Sequence, residues 1–235
     1  MTTEQEELRP PHAIHPICPV GETDCAIAIE VAELRQDLSE LSDLIRTDTL
    51  TGIANYRYFI QALEQEIERT QRSGQPTSLI MLDIDFFKKV NDQWGHEIGN
   101  QALIHISSLL QQTVRKLDIP CRYGGEEFAI ILPDTPLTAS IPVAERIRKS
   151  VEEVPLDVSG QLLKMTVSLG ITTYTEQQKI TVAELVKQAD EYLYRAKESG
   201  RNCVCHPDLA SIEVVSTEEK QALSELFGSG MKKKD

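Results

Sequence analysis

The chain has 235 residues, enough for one sizeable domain with appendages. Hydrophobic residues make up 40% and charged residues 26%, the balance of a folded protein and not of a disordered one. The formal net charge of −13 argues against nucleic acid or an anionic membrane as partner, so any phosphate ligand must meet a local cation or a metal.

Residues 1–22 are proline-rich and read as an irregular arm. They lack the basic and apolar regions of a signal peptide, and no run approaches the ~18 apolar residues of a membrane helix, so a cytoplasmic location is expected. Residues 23–47 read as a stalk helix. Ile27, Val31, Leu34, Leu38, Leu41 and Ile45 recur at spacings of four and three, a heptad seam of roughly three repeats. Val31, Leu38 and Ile45 fall at a, and Ile27, Leu34 and Leu41 at d, which leans toward a parallel two-stranded coiled coil; a helix lying on its own domain is the alternative. Dimerisation or docking of a partner protein is its expected use.

A domain is expected over 48–205. "TDTLTGIAN" breaks the seam, and a helix follows from Tyr56 to Arg72, stopped by "SGQP". Next come an apolar strand (Thr77 to Ile84), a short helix from Phe86 to Trp94, a long helix from Ile98 to Val114, and a hairpin through "PCRYGGEEFAIILPD". A helix from Leu137 to Val154, a β-rich stretch from Leu162 to Tyr174, a helix from Val182 to Lys197 and a last strand, "NCVC", complete it. Strands joined by a tight turn cannot be parallel neighbours, so the fold class is α+β: a mixed, mostly antiparallel sheet covered by helices. The tail, 206–235, holds one short helix, opened by the capping pair Ser216 and Glu219. The five cysteines are odd in number and scattered, so they read as reduced thiols; the C-x-C of Cys203 and Cys205 lacks the second pair of a zinc site.

Three stretches can carry chemistry. In the hairpin, Gly124 and Gly125 fit a two-residue turn with Glu126 and Glu127 beside it at the sheet's rim. Alone, such a pair reads as a solvated tip that discourages edge aggregation. In "LIMLDIDFFKKVNDQWGH", a buried strand runs into Asp83 and Asp85, two apart and so on one face. Asp85 suits the N-cap of the helix opening at Phe86. Asp83 has no such role and is costly unless paired with a cation. If Asp83 and Glu126 converge, they make an oxygen site suited to Mg²⁺, with Mn²⁺ as an alternative. The amides of Phe86 and Phe87 open a helix, where a phosphate is favoured, and Lys88 and Asn91 share a face of it. Lys197 and Arg201, in "YRAKESGRN", can hold terminal phosphates or simply complement a helix C-terminus.

Together, "DTLTGIAN", "LDIDFFKKVND", "WGHEIG", "CRYGGEEF", "AERIR", "VSLGI" and "ADEYLYRAKESGRN" resemble the GGDEF family of diguanylate cyclases over about residues 48–205, with "GGEEF" at the name motif. The resemblance implies a fold like the palm of nucleotide cyclases. It also implies condensation of two GTP into cyclic di-GMP and two pyrophosphates across a homodimer. By resemblance, Asp83, the Ile84 carbonyl and Glu126 hold Mg²⁺, with Glu127 in support. Glu126 is also the position assigned as general base, although one carboxylate cannot serve fully as ligand and base at once. Lys88 would stabilise the transition state, Phe86 and Phe87 would supply phosphate-binding amides, and Lys197 with Arg201 would grip the β- and γ-phosphates. Asn91 and Asn100 would read guanine. Asn100 stands where the family usually has aspartate, which opens ATP use and a mixed cyclic GMP-AMP product. Arg115 and Asp118, an R-x-x-D pair, read either as a local ion pair or, by resemblance, as the inhibitory site for cyclic di-GMP. The rival from another class is a non-catalytic module that senses GTP or cyclic di-GMP. With no sensor domain in the first 47 residues, a separate regulatory protein is expected on the stalk helix.

Overall fold

The computed structural model describes residues 26–44 and 46–209, and the chain falls into two units divided between Arg46 and Thr47. The irregular arm, the seam position Ile45 and the tail helix at Ser216 lie outside the described residues. Helix α1 spans Ala26–Leu44. On it Ile27 and Leu34 are exposed and Val31 is half-buried. No described helix is long and apolar enough to cross a membrane.

The second unit is an α+β fold around a five-stranded sheet. Its elements in chain order are α2 (Tyr56–Ser73), β1 (Thr77–Ile84), α3 (Phe87–Trp94), α4 (His96–Thr113), β2 (Ile119–Gly124), β3 (Glu127–Leu132), α5 (Leu137–Glu153), β4 (Leu156–Val158), β5 (Gln161–Leu163), β6 (Val167–Tyr174), α6 (Val182–Glu198) and β7 (Val204–Cys205). The strand order is β2-β3-β1-β6-β7; only β6 and β7 pair in parallel, as the mixed-sheet expectation requires. The strands β4 and β5 form a separate hairpin, turning through Ser159 and Gly160 at positive φ. The β-rich stretch expected from Leu162 to Tyr174 begins inside β5 and leaves out β4, because strands of three residues are too short to show an alternation.

Helix ends follow their local chemistry. The Tyr58 amide donates to the Asn55 side chain to open α2, and Gly74, at φ 72°, closes it. Thr181 and Glu184 make a reciprocal capping box at α6. Strand β1 is buried along its whole length because both faces of the sheet are covered. Ile80, Leu82 and Ile84 pack with Ile106 and Leu110 of α4 and Ile147 of α5. Leu79 and Met81, of opposite parity, pack with Phe59 and Leu63 of α2 and Leu193 of α6. Cys121 lies in that second layer, where burial pushes its thiol up to about 12, so it is an inert core group.

Helix α6 lies against β6 at Gly170, where a Cβ would collide with the backbone of Leu193 and Ala189. That close approach sets how near α6 lies to the sheet, and Lys197 follows one turn after Leu193. Gly170→Ala is expected to destabilise the fold by about 1 to 3 kcal/mol, measured by chemical denaturation, because the collision is with backbone that cannot rotate away.

Candidate active site

The parity that sends Leu79 and Met81 toward α6 also places Asp83, four residues after Leu79, on that side of β1. Its carboxylate meets the Lys197 ammonium at 2.9 Å, from the last turn of α6. Asp83 is buried between neighbours on both sides, paired in register with Glu127 of β3 and Ser168 of β6. Burial pushes the Asp83 carboxyl above its usual range, against the opposing pull of Lys197. The same cause raises Glu126 and Glu127, and in both the Asp83 charge comes second. Three acidic groups, each raised first by burial, therefore gather at one end of the sheet.

The hairpin tip differs by one residue from expectation. The turn is made by Gly125 and Glu126, and Gly124 is the last residue of β2, opposite Glu127. Only Gly125 of the pair takes a positive φ, 48°, and a register shift between Arg122 and Gly124 moves the turn along. Glu126 thus sits in the turn itself, and its carbonyl accepts from the Ile84 amide at 3.4 Å, which ties the tip to the end of β1.

A clamp unseen in the sequence reading holds that tip. Arg122 donates from Nε and Nη2 to the Gly125 carbonyl at 3.1 and 2.9 Å. Its Nη1 reaches Asp48 at 3.1 Å, and Asp48 accepts from both the amide and the hydroxyl of Thr51. Burial pushes Asp48 up, but Thr51 and the Arg122 guanidinium outweigh it and hold the carboxyl below its usual range. The signal was an arginine two residues before the glycines, in reach of a turn carbonyl.

Asp85 is not the N-cap expected of it. Phe86 is the N-cap of α3, in the left-handed region at φ 57°, with no side-chain cap. The buried Asp85 carboxylate instead accepts from Thr166 Oγ1 and Ser168 Oγ, each at 2.7 Å, and from the Asn202 amide at 3.0 Å. A strand end between two hydroxyl-bearing neighbours won over the local helix start. The Lys89 and Val90 amides donate to the Phe86 carbonyl, so with no side-chain cap on α3 it is the Phe87 and Lys88 amides that are left for another acceptor.

Phe86 is half exposed and carries two cations, Lys89 at 4.3 Å and the Arg201 guanidinium at 4.5 Å from its ring. Phe87 is buried in the core, and Lys88 is exposed. Asn91 lies with its Oδ1 against Gly99 of α4, where a Cβ would collide with it, so Asn91 reaches α4 beside Asn100. Among the described residues, no three His, Cys, Asp or Glu side chains are placed to grasp a metal on their own. Asp83, Glu126 and the Ile84 carbonyl offer oxygen donors only. That set fits a hard cation such as Mg²⁺, which takes one or two carboxylates and fills its shell from water and phosphate.

Arg115 and Asp118 stand at the start of β2, away from the tip by the length of a six-residue strand, about 20 Å. Asp118 Oδ2 accepts from the Arg115 amide at 2.7 Å, while the guanidinium donates to Thr135 Oγ1 at 2.8 Å. The Arg115 side chain is 59% exposed and that of Asp118 only 1%. Asp118 Oδ1 accepts no hydrogen bond; the guanidinium lies 3.4 Å from it without the geometry of one.

The sequence model described as "Diguanylate cyclase, GGDEF domain" matches residues 45–203. Response regulator PleD of Caulobacter vibrioides is 44% identical over 173 residues, which cover 73% of this chain and 38% of that protein. Diguanylate cyclase A of Treponema denticola is 37% identical over 169 residues, covering 71% of this chain and 45% of that one. The matched region thus spans less than half the length of these relatives. Among solved structures, diguanylate cyclase SiaD in complex with its activator SiaC from Pseudomonas aeruginosa gives a TM-score of 0.67 at 38% identity, covering 77% of this chain and 69% of that one. The GGDEF domain of DgcB from Caulobacter crescentus in complex with c-di-GMP gives 0.65 at 32% identity, covering 68% of this chain and 92% of that one. With its palm-like α+β sheet and its acidic hairpin tip, the chain belongs to the GGDEF family of diguanylate cyclases.

Proposed function

We propose that the chain condenses two GTP into cyclic di-GMP, releasing two pyrophosphates. The observation that carries this reading is the convergence of Asp83, Glu126 and Glu127 at one sheet end, with Lys197 on Asp83 at 2.9 Å and Arg201 over Phe86. In each of two steps a 3′-hydroxyl attacks the α-phosphorus of the other nucleotide, the bond to the bridging oxygen breaks, and pyrophosphate leaves with that electron pair. Each protomer presents one nucleotide, so the reaction needs a homodimer.

Asp83, the Ile84 carbonyl and Glu126 would hold Mg²⁺, or Mn²⁺, with Glu127 in support. When bound, the ion polarises the phosphoryl oxygens and offsets the charge that builds on them. The side chains do the rest. Lys197 pairs with Asp83 at 2.9 Å, and its ammonium would turn to a terminal phosphate when Asp83 serves as a metal ligand. Arg201 joins it by charge-assisted bonds. The amides of Phe86 and Phe87 cradle the same phosphates, and exposed Lys88 faces the charge that develops at the α-phosphorus. Glu126 would accept the proton of the attacking hydroxyl, a role in competition with its hold on the ion.

Asn91 and Asn100 would read the guanine edge. The Asn100 amide puts a donor where guanine also donates, a mismatch worth roughly 1 to 3 kcal/mol by analogy with base readout, so some use of ATP is expected. Arg115 and Asp118 are the proposed inhibitory site for product: the exposed guanidinium can leave Thr135 for a phosphate or guanine, and Asp118 Oδ1 still has an acceptor position to offer. A homodimer partner or a separate regulatory protein is proposed for α1, whose exposed Ile27 and Leu34 offer apolar surface; SiaD, with its activator SiaC, is a relative with such a partner.

Purified protein with Mg²⁺ is expected to convert GTP to cyclic di-GMP, with a minor cyclic GMP-AMP product when ATP is added, resolved by chromatography. Glu126→Ala should lower turnover by about a thousandfold or more, as loss of a metal ligand and base together implies; a GTP-binding protein without turnover would support a sensor module instead. Arg115→Ala is expected to leave initial turnover near wild type and to relieve inhibition by added cyclic di-GMP at least tenfold, in line with loss of charge-assisted contacts.

A further inference from the structure

Three successive residues after α6, Gly200, Arg201 and Asn202, have positive φ values of 109°, 66° and 46°. For the two that are not glycine, such backbone costs of order 1–3 kcal/mol each and persists only where surrounding contacts impose it. One contact is local: the Arg201 amide donates to the Ala196 carbonyl at 3.1 Å, which closes the helix. The others converge on Asn202. Its amide donates to Asp85 at 3.0 Å, its Nδ2 donates to Glu152 at 2.8 Å, and its Oδ1 accepts from Arg148 Nη1 at 2.8 Å. Arg148 is in turn held on α5 by Glu145 and Glu152, at 3.0 and 2.8 Å.

Asn202 therefore joins the end of β1, through Asp85, to α5, through Arg148 and Glu152. The residue so fixed in space is its covalent neighbour Arg201, whose guanidinium lies over Phe86 at 4.5 Å. Asn202 is half-buried, and in the structure its side chain bonds only to α5. A long arginine on an unrestrained turn would lose its aim, because each freed rotamer adds entropy to be lost again on binding.

We propose that Asn202, with Arg148 and Asp85 as its anchors, is a positioning residue: it sets the left-handed turn that aims Arg201 at the terminal phosphates of the substrate. The proposal rests on the phosphate-gripping role given above to Arg201. It acts only through that arginine, so it bears on triphosphate recognition and not on the base or the ion. Of the three, Asn202 is the one to test, because glycine at this position accepts the positive φ and removes only the side-chain bonds.

The test is calorimetric binding of 3′-deoxy-GTP, which lacks the attacking hydroxyl, and of GMP, which lacks the β- and γ-phosphates, to the full chain with Mg²⁺. Asn202→Gly is expected to weaken 3′-deoxy-GTP about five- to tenfold and GMP not at all, the scale of one partly lost charge-assisted contact. Arg148→Ala, which leaves every proposed ligand contact in place, should give the same selective loss. In the Arg201→Ala background, Asn202→Gly should add less than about twofold, since two changes acting through one side chain do not add. A loss that is as large without Arg201 as with it, or that falls equally on GMP, overturns the positioning role while leaving the phosphate grip intact. If Arg201→Ala itself leaves 3′-deoxy-GTP binding unchanged, the grip fails and the positioning role falls with it.

Discussion

Everything at the acidic end of the sheet depends on the ion pair between Asp83 and Lys197. A carboxylate buried in the middle of a five-stranded sheet, flanked in register by Glu127, is tolerable only beside positive charge. The ammonium supplies one unit beside three acidic groups, and burial, with the Asp83 charge second for the two glutamates, pushes all three carboxyls above their usual range. Under the proposed function, a divalent cation held there would offset the remaining negative charge and leave Lys197 to the phosphates. A structural ion pair alone would need no glutamates at the turn.

The fold serves this pair from several directions. Parity along β1 sends alternate side chains to two helical layers, and Asp83 is where the inner row meets the end of α6. Gly170 lets α6 approach β6 closely enough for Lys197 to reach. Arg122 pins the turn carbonyl next to Glu126, and Asp48 pins Arg122, so the hairpin's position is tied to the first residues of the second unit. Asp85 and Asn202 do the same for the Arg201 turn. The Arg201 turn and the acidic hairpin tip are thus braced by separate hydrogen-bonded groups behind them.

Much of this was legible because it follows from local rules. Continuous apolar character marked β1 as central, the helical periods marked α2, α4 and α6, and an unexplained aspartate at the end of a buried strand marked the site. What failed did so for physical reasons. The turn slid from Gly124-Gly125 to Gly125-Glu126 because a register shift in β2, invisible to pattern, decides which glycine needs positive φ. Asp85 read as a cap because local spacing favours that role, whereas Thr166 and Ser168, about 80 residues later, claim it in three dimensions. The short β4–β5 hairpin fell below the length at which alternation is readable. The Arg122–Asp48 pair and the Asn202 contacts join segments at least 50 residues apart, which no spacing rule reports, although Arg122 does stand within reach of the turn carbonyl three residues on.

On the proposed function, the buried carboxylates at the sheet end form the seat of a cation. Site-resolved pH titration of side-chain carboxyl carbon resonances in the ¹³C-labelled protein, with and without Mg²⁺, probes this at the atoms concerned. Asp83, Glu126 and Glu127 are expected to titrate above the ordinary carboxylate range in metal-free protein, and Mg²⁺ is expected to lower the midpoints of Asp83 and Glu126. Midpoints in the ordinary range that do not move when Mg²⁺ is added would contradict it.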